Sequence, residues 1–211
     1  VALLVYTSGT TGQPKGAVHT QANLLANMAA AQAVQTITPE DSILTVLPMF
    51  HVGGLCIQTL PALYAGASVI LHARFDPDAT LADLARWRPS LTLQVPATLR
   101  ALMAHPAWQA TDLSCLRAVW AGSSILPDDV VQAVQARGVP VCNVYGATET
   151  GPFSVALPPA HAFSHVGSCG WPAPGVEACL SGSGDTGELW LRAANIVDHY
   201  WPNQAARDAQ G

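Results

Sequence analysis

The stretch VYTSGTTGQPKGAVHT, from Val5 to Thr20, decides how the rest of the sequence is interpreted. It surrounds Lys15, the only lysine beside eight arginines, with four threonines, one serine and three glycines. Glycines permit positive φ and close backbone approach, so successive N–H groups can point at one spot, and the hydroxyls add donors. Such a loop with one ammonium group suits a di- or triphosphate. The pattern predicts a strand that runs into this loop, with a helix after it.

The spacing differs from that of the common nucleotide-binding loop. In that loop four residues separate a first glycine from a Gly-Lys pair, and Ser or Thr follows the lysine directly; here Gly9, Gly12 and Lys15 stand three apart and Gly16 follows the lysine. A phosphate-loop hydrolase is therefore excluded. Taken without its context, a glycine-rich loop is more often an exposed turn than a ligand site.

Composition narrows the class of protein. Of 211 residues, 50% are apolar and 11% are charged, and the net charge of -5 comes without a basic run that would track nucleic acid. Residues 42–73 carry no charge, but Pro48, Gly53 and Gly66 break them into pieces too short to cross a bilayer. Five cysteines without a CxxC pair indicate reduced thiols in the cytoplasm. The sequence shows no signal peptide pattern, and its two ends suggest a segment of a longer protein.

Short apolar runs alternate with helical patterns in the first half of the chain. This order predicts an α/β fold, a layered, mostly parallel sheet with flanking helices. Predicted strands are Ala2–Tyr6, Ile43–Leu47, Ser68–Leu71, Leu91–Val95, Arg117–Ala121 and Val139–Val144. Predicted helices are Gln21–Val34, Gly54–Tyr64, Pro77–Trp87, Ala97–Ala104 and Pro127–Ala136, with N-caps at Thr20 and Asp76 and first-turn prolines at Pro77 and Pro127.

The residue pattern changes after about Pro152. There, segments that alternate apolar and polar residues predict antiparallel β structure. We therefore expect an α/β nucleotide- and acyl-binding portion over residues 1–155 and an incomplete β-rich, barrel-like portion over residues 156–211.

Ten consecutive positions, Thr7 to Gly16, fit the TSGTTGxPKG signature of the adenylate-forming (AMP-binding) superfamily, and the chain resembles its acyl-CoA and aryl-CoA ligases. Three further stretches follow in the order that this family has them. They are LPMFHVGGL (residues 47–55), VWAGSSILP (residues 119–127) and NVYGATETG (residues 143–151), the last matching the family's YGxTE pattern. The resemblance implies a truncated piece of the large N-terminal domain of that fold.

The resemblance also implies roles for individual residues. Lys15, His51, Thr148 and Glu149 would be catalytic, and Glu149 would hold magnesium. Tyr145 would stack on adenine. The implied ATP- or AMP-binding residues are Thr7, Ser8, Gly9, Thr10, Thr11, Gly12, Lys15, Gly122, Ser123, Ser124, Asn143, Val144, Tyr145, Gly146 and Thr148, and the implied acyl pocket comprises His51, Val52, Gly53, Gly54, Gly122 and Ala147. Alone, His51 is more often a structural histidine and Glu149 a solvated surface charge.

Two other features are weaker. Residues 187–201, GELWLRAANIVDHYW, resemble the segment before the family's ribose-binding aspartate, and we expect a structural role for them, Tyr200 included. His161 and His165 are spaced as zinc ligands on a helix, but neighbouring Pro158 and Pro159 and the missing third ligand favour a loop.

The implied reaction is ATP-dependent activation of a carboxylic acid with magnesium, giving an acyl-adenylate and pyrophosphate, followed by thioester formation with coenzyme A. The family assists adenylation with a second lysine on a C-terminal lid domain, and this chain holds no other lysine. We therefore expect the isolated segment to form little acyl-adenylate. Alternatives are the adenylation domain of a peptide synthetase, disfavoured by FHVGGL where an FDxS-like stretch is usual, and a non-catalytic nucleotide-binding relative.

Overall fold

The computed structural model describes residues 1–7, 14–122, 124–182, 184, 186–202 and 204–206. Its centre is a seven-stranded sheet in the order β4-β3-β5-β6-β7-β8-β9. These strands are β3 (Ser42–Thr45), β4 (Ser68–Leu71), β5 (Leu91–Gln94), β6 (Ala118–Gly122), β7 (Val141–Tyr145), β8 (Val155–Ala156) and β9 (Trp171–Pro172). The first five pair in parallel, and β8 and β9 continue the sheet in antiparallel fashion.

The central strands are short apolar runs because helices cover the sheet. Every residue of β5 and β6 is buried, as expected of parallel strands flanked on both faces. The covering helices are α1 (Gln21–Gln35), α4 (Pro77–Trp87), α5 (Pro96–Ala104) and α6 (Asp128–Gln135). On α6, Val130, Val131 and Val134 form the buried stripe, and Trp120 of β6 packs against Phe153 with ring centroids 5.8 Å apart.

The predicted helix starts are confirmed at two caps. The Thr20 side chain accepts from the Asn23 backbone in a capping box, and Asp76 accepts from the Ala79 backbone with Pro77 in the first turn. Pro127 differs from its prediction, because it takes the N-cap position and α6 begins at Asp128.

The predicted helix Gly54–Tyr64 has three parts. A helical turn, α2 (Val52–Gly54), leads into a π-helical segment over Leu55–Thr59, and α3 (Leu60–Ala65) completes the run. Single π turns interrupt α-helices most often near functional sites.

A second sheet corrects the prediction for the opening stretch. β1 (Leu3–Thr7) pairs antiparallel with β2 (Lys15–His19), so the glycine-rich stretch joins two strands, and α1 begins only after β2. The strand-loop-helix prediction missed β2, which pairs along its whole length with β1 and is joined on its other edge by a strand from far along the chain. β12 (His199–Trp201) pairs with β2, and β13 (Gln204–Ala205) pairs with β12. Such distant pairing leaves no local sequence signal.

β10 (Val176–Ser181) and β11 (Glu188–Ala193) form an antiparallel hairpin. The predicted β structure after Pro152 is thus divided among three sheets. β8 and β9 extend the large sheet, and β12 and β13 join the small one. Among the described residues, the hairpin strands pair with each other and with no further strand. No helix within the described ranges is long and apolar enough to span a membrane.

Candidate functional site

A cleft of about 200 Å³ opens where the carboxyl ends of the parallel strands meet, the edge at which α/β sheets bind ligands. Two segments form it, one after β3 and the other at the end of β7. Its lining residues are His51, Val52, Gly53, Ile57, Val144, Gly146, Ala147, Thr148 and Pro152. The cleft therefore unites the predicted acyl segment with the YGATET segment. Ile57 and Pro152 were not foreseen, because a π-helical turn brings the first into the wall.

The His51 ring lines this cleft and caps the helical turn beside it. Its Nδ1 accepts a hydrogen bond from the Gly53 backbone N–H at 3.0 Å, which caps α2. A ring nitrogen that accepts carries no proton, so the proton of the neutral imidazole lies on Nε2. The ring is exposed and available to a ligand.

Close backbone packing explains the glycines around the cleft. A Cβ on Gly54 or Gly146 would overlap the carbonyl oxygen of Pro48 or Pro152, respectively. A Cβ on Gly122 would lie 2.6 Å from the Val144 carbonyl oxygen. These positions accept only glycine without a backbone shift, and they let the segments after β3, β6 and β7 approach one another.

Other predicted residues lie outside the cleft wall. Gly122 ends β6 and Ser124 is exposed beyond it, whereas Ser123 lies outside the described residues. The Asn143 side chain donates to the Ser168 carbonyl at 3.5 Å and lines a separate small cavity. Tyr145 ends β7 with 45% of its surface exposed, so its ring is open to a planar ligand.

Glu149 lies in a short 3-10 turn, Thr148–Thr150, directly after this strand. Its carboxylate Oε1 accepts a hydrogen bond from the Tyr200 phenol at 2.9 Å, and its backbone carbonyl accepts from the Val197 N–H at 2.9 Å. Burial, together with this hydrogen bond and the carboxylate charge, raises the pKa of Tyr200 to about 12. The phenol is therefore a donor throughout the neutral range.

Lys15 lies at the start of β2, opposite Thr7 of β1. Its Nζ is 5.4 Å from the centroid of the Tyr200 ring, a cation–π distance. Five predicted phosphate-binding residues between these two strands, Ser8, Gly9, Thr10, Thr11 and Gly12, lie outside the described residues.

Sequence reasoning missed His19, which is fully buried at the end of β2. Neither ring nitrogen has a hydrogen-bond partner of standard geometry within the described part of the chain. Burial lowers the pKa of His19, while the Thr148 carbonyl and the Glu149 carboxylate act in the opposite direction. A neutral imidazole thus lies behind the acidic turn, and no local pattern marks it.

Buried amides fix the segments that surround this turn. Asn23 of α1 donates to the carbonyls of Ala194 and Ile196, and Asn27 donates to the Cys56 carbonyl while accepting from the Phe153 N–H. Asn195 donates to the Thr150 carbonyl at 2.6 Å. Helix α1 therefore ties the YGATET segment to the stretch that leads into β12.

The structure describes the surroundings of His161 and His165, the two histidines whose spacing resembles that of zinc ligands. Among the described residues, no group of three or more His, Cys, Asp or Glu side chains could hold a metal ion. The His161, His165 and Trp171 rings pack together with centroids 5.0 to 5.6 Å apart, so these histidines form an aromatic cluster beside a short 3-10 turn.

Comparison with known proteins decides the family. The family model described as "AMP-binding enzyme" matches residues 1–201. The chain belongs to this family. Indoleacetate–CoA ligase from Aromatoleum aromaticum is 44% identical over 98% of the chain and 42% of its own length. Feruloyl-CoA synthase from an Amycolatopsis species is 36% identical over 95% of the chain and 42% of its own length.

A solved structure shares the fold of this chain. The ATP-bound crystal structure of MatB from Rhodopseudomonas palustris superimposes with a TM-score of 0.86 at 30% identity, covering 94% of this chain and 41% of the other. The predicted α/β fold and the family resemblance are thereby confirmed. This AMP-binding chain spans about two fifths of the length of the relatives it matches.

Proposed function

We propose that the protein containing this chain activates a carboxylic acid with ATP and transfers the acyl group to coenzyme A. The carboxylate oxygen bonds to the α-phosphorus of ATP, the bond to pyrophosphate breaks, and a thiol then displaces AMP from the acyl carbon. The observation that carries this proposal is the cleft itself, which places His51 and Gly53 opposite Thr148. The relatives named as CoA ligases support it.

Two anions must meet in the first step, so the site has to neutralise and align charge. Lys15 would hold the leaving pyrophosphate together with the loop between β1 and β2. The Thr148 hydroxyl would donate to the reacting phosphate, and the Nε2–H of His51 would orient the incoming carboxylate. The domain division at residue 155 and the participation of a C-terminal lid domain remain parts of this proposal.

The residues present fit ATP and magnesium. Tyr145 offers an exposed ring at the end of β7, next to Gly146, which packs closely against the Pro152 backbone. Magnesium takes oxygen ligands, commonly one or two carboxylates with substrate phosphates and water, and Glu149 supplies such a carboxylate next to Thr148. When bound, the cation would neutralise the phosphate charge.

The lining favours an acid with an apolar, aromatic body. His51 is the one titratable residue among the described lining residues, and the rest of the wall is small or apolar except for the Thr148 hydroxyl. A peptide synthetase must bind the ammonium group of an amino acid, and this wall offers no carboxylate for it. The names indoleacetate–CoA ligase and feruloyl-CoA synthase both denote acids that carry an aromatic ring. We also propose a cytoplasmic location, as the cysteine pattern suggests.

Pyrophosphate release from ATP by the full-length protein, measured across aryl, fatty and amino acids, tests the function. We expect release that depends on the acid and is greatest for aryl acids of about the size of indoleacetate. A preference confined to amino acids would replace the CoA ligase by a peptide-synthetase adenylation domain. Absence of release with every acid would favour a non-catalytic nucleotide-binding relative.

A further inference from the structure

Tyr200 contacts both charged groups of the proposed site. Its hydroxyl donates to Glu149 Oε1 at 2.9 Å, and its ring centroid lies 5.4 Å from Lys15 Nζ. Glu149 Oε2 accepts no hydrogen bond from the part of the chain described. One aromatic side chain therefore links the acidic turn after β7 with the lysine of β2.

The backbone holds Tyr200 in this place from two directions. β12 pairs with β2 so that Tyr200 lies opposite Ala17 and Trp201 opposite Gly16. Gly16 permits this approach, since a Cβ there would lie 3.0 Å from Leu4 Cδ1 and 3.4 Å from Trp201 Cβ. Upstream of β12, the Val197 N–H donates to the Glu149 carbonyl and Asn23 holds the Ile196 carbonyl.

We propose that Tyr200 is a positioning residue, whose hydroxyl orients the Glu149 carboxylate toward the cation and whose ring supports Lys15. This inference rests on the proposed metal role of Glu149. A hydrogen bond to one carboxylate oxygen fixes the rotation of the group and leaves the other oxygen for magnesium. Loss of such an outer partner typically costs about 10- to 100-fold in metal affinity or activity. The segment expected to be structural then contributes to the site.

Two variants separate the hydroxyl from the ring. Tyr200→Phe removes the donor to Glu149 and keeps the ring, whereas Tyr200→Leu removes both. Glu149→Gln is the benchmark for the metal role itself. Tyr64→Phe is the matched control, because Tyr64 is 49% exposed on α3 and outside the proposed site.

The readout is binding rather than turnover. Mn²⁺ is titrated into the full-length protein with a non-hydrolysable ATP analogue, and free Mn²⁺ is followed by electron paramagnetic resonance. We expect Tyr200→Phe to weaken Mn²⁺ binding about tenfold, with Tyr64→Phe unchanged. The pyrophosphate inhibition constant should stay the same in Tyr200→Phe and rise about two- to fivefold in Tyr200→Leu, the loss expected of one cation–π contact.

The benchmark distinguishes the possible failures. If Glu149→Gln weakens Mn²⁺ binding and Tyr200→Phe does not, the positioning role is wrong and the proposed function stands. If Glu149→Gln also leaves Mn²⁺ binding unchanged, the metal role of Glu149 fails and the positioning role with it. Equal effects of Phe and Leu at position 200 on pyrophosphate inhibition would contradict the support of Lys15 by the ring.

Discussion

The amino and carboxyl ends of the parallel strands present two different kinds of chemistry. At the amino ends of β3, β5 and β6, Asp41, Ser90 and Arg117 bond to one another. Arg117 donates to both Asp41 oxygens at 3.1 and 2.9 Å, and Ser90 Oγ donates to Asp41 Oδ1 at 2.6 Å. Near the carboxyl ends, and among the described residues, the two ring nitrogens of His19 have no hydrogen-bond partner and Glu149 has one carboxylate oxygen without a partner.

The comparison suggests two roles. The polar residues at the amino edge stabilise the sheet, whereas Lys15 and Glu149 at the carboxyl edge are the groups that we propose bind a ligand. Burial disfavours the charge of Asp41, but hydrogen bonds from Arg117, Ser90 and the Thr38 backbone outweigh it and lower its pKa. The charge at the amino edge is thus satisfied within the chain. At the carboxyl edge, glycines bring three segments together while Lys15 and Glu149 stay on either side of one tyrosine.

The largest expected effect is at the carboxyl edge. Lys15→Ala should slow adenylation by about 10²- to 10³-fold, because it removes a preorganised charge from the leaving pyrophosphate. The free energy of unfolding should fall by no more than about 1 kcal/mol, the scale of one exposed cation–π contact. Stopped-flow pyrophosphate release and urea unfolding measure the two quantities. A variant with unchanged release kinetics would remove Lys15 from the reaction.

At the amino edge we expect a substitution to lower stability and to leave adenylation unchanged. Arg117→Ala should lower the free energy of unfolding by about 2 to 3 kcal/mol, below the ~3 to 5 kcal/mol of a fully buried pair because the arginine side chain is 34% exposed. Adenylation per folded molecule should not change.

Arg100→Ala is the matched control for this edge. It breaks the pair with Asp129, in which both side chains are more than half exposed, and should cost less than about 1 kcal/mol. Equal destabilisation by the two arginine variants in urea titrations would show that the network around Asp41 has no special role.

Acid should reduce the contribution of the Asp41 carboxylate to the free energy of unfolding. The pKa of Asp41 in the folded chain is below its ordinary value of 3.8, so its stabilisation is complete above pH 3.8 and is lost as the pH falls through the folded value. Urea unfolding of the wild type and Asp41→Asn at pH 7 and pH 3 isolates this contribution. The stability advantage of the wild type should shrink at pH 3. An advantage that is equal at both pH values would contradict the lowered pKa.

The substitution with the smallest expected effect is at Asp76, and it tests whether a residue on the carboxyl side of the sheet can be purely structural. Asp76 follows β4 and caps α4 through the Ala79 N–H at 2.9 Å. Asp76→Ala should cost about 1 kcal/mol of stability, a typical N-cap loss, without changing adenylation per folded molecule. Thermal unfolding measures the loss of stability, and pyrophosphate release measures adenylation. A loss of adenylation beyond the loss of folded protein would extend the site to α4.

Local signals explain what could be predicted from sequence. Helix Pro77–Trp87 is observed with its predicted limits because Asp76 and Pro77 define its start. Buried strands such as Leu91–Gln94 are readable as apolar runs. The YGATET segment, which lines the cleft, was identified through its resemblance to the family's YGxTE pattern.

What could not be predicted depends on contacts between distant parts of the chain. Lys15–His19 was not recognised as a strand, and one of its two partner strands, β12, is distant in sequence. The hydrogen bond from Tyr200 to Glu149 follows from that pairing, and His19 lies beside Glu149 at the end of β2. The π-helical turn that brings Ile57 into the cleft depends on packing of Leu55–Thr59, which apolar periodicity does not resolve.

Isotope transfer tests the central claim most directly. The full-length protein is given an aryl acid labelled with ¹⁸O in its carboxylate, together with ATP and coenzyme A, and the products are analysed by mass spectrometry. Attack on the α-phosphorus, followed by cleavage of the acyl carbon–oxygen bond by the thiol, predicts one ¹⁸O atom in each AMP and none in pyrophosphate. Label in inorganic phosphate with ADP as the second product, or unlabelled AMP, would contradict adenylation at this site.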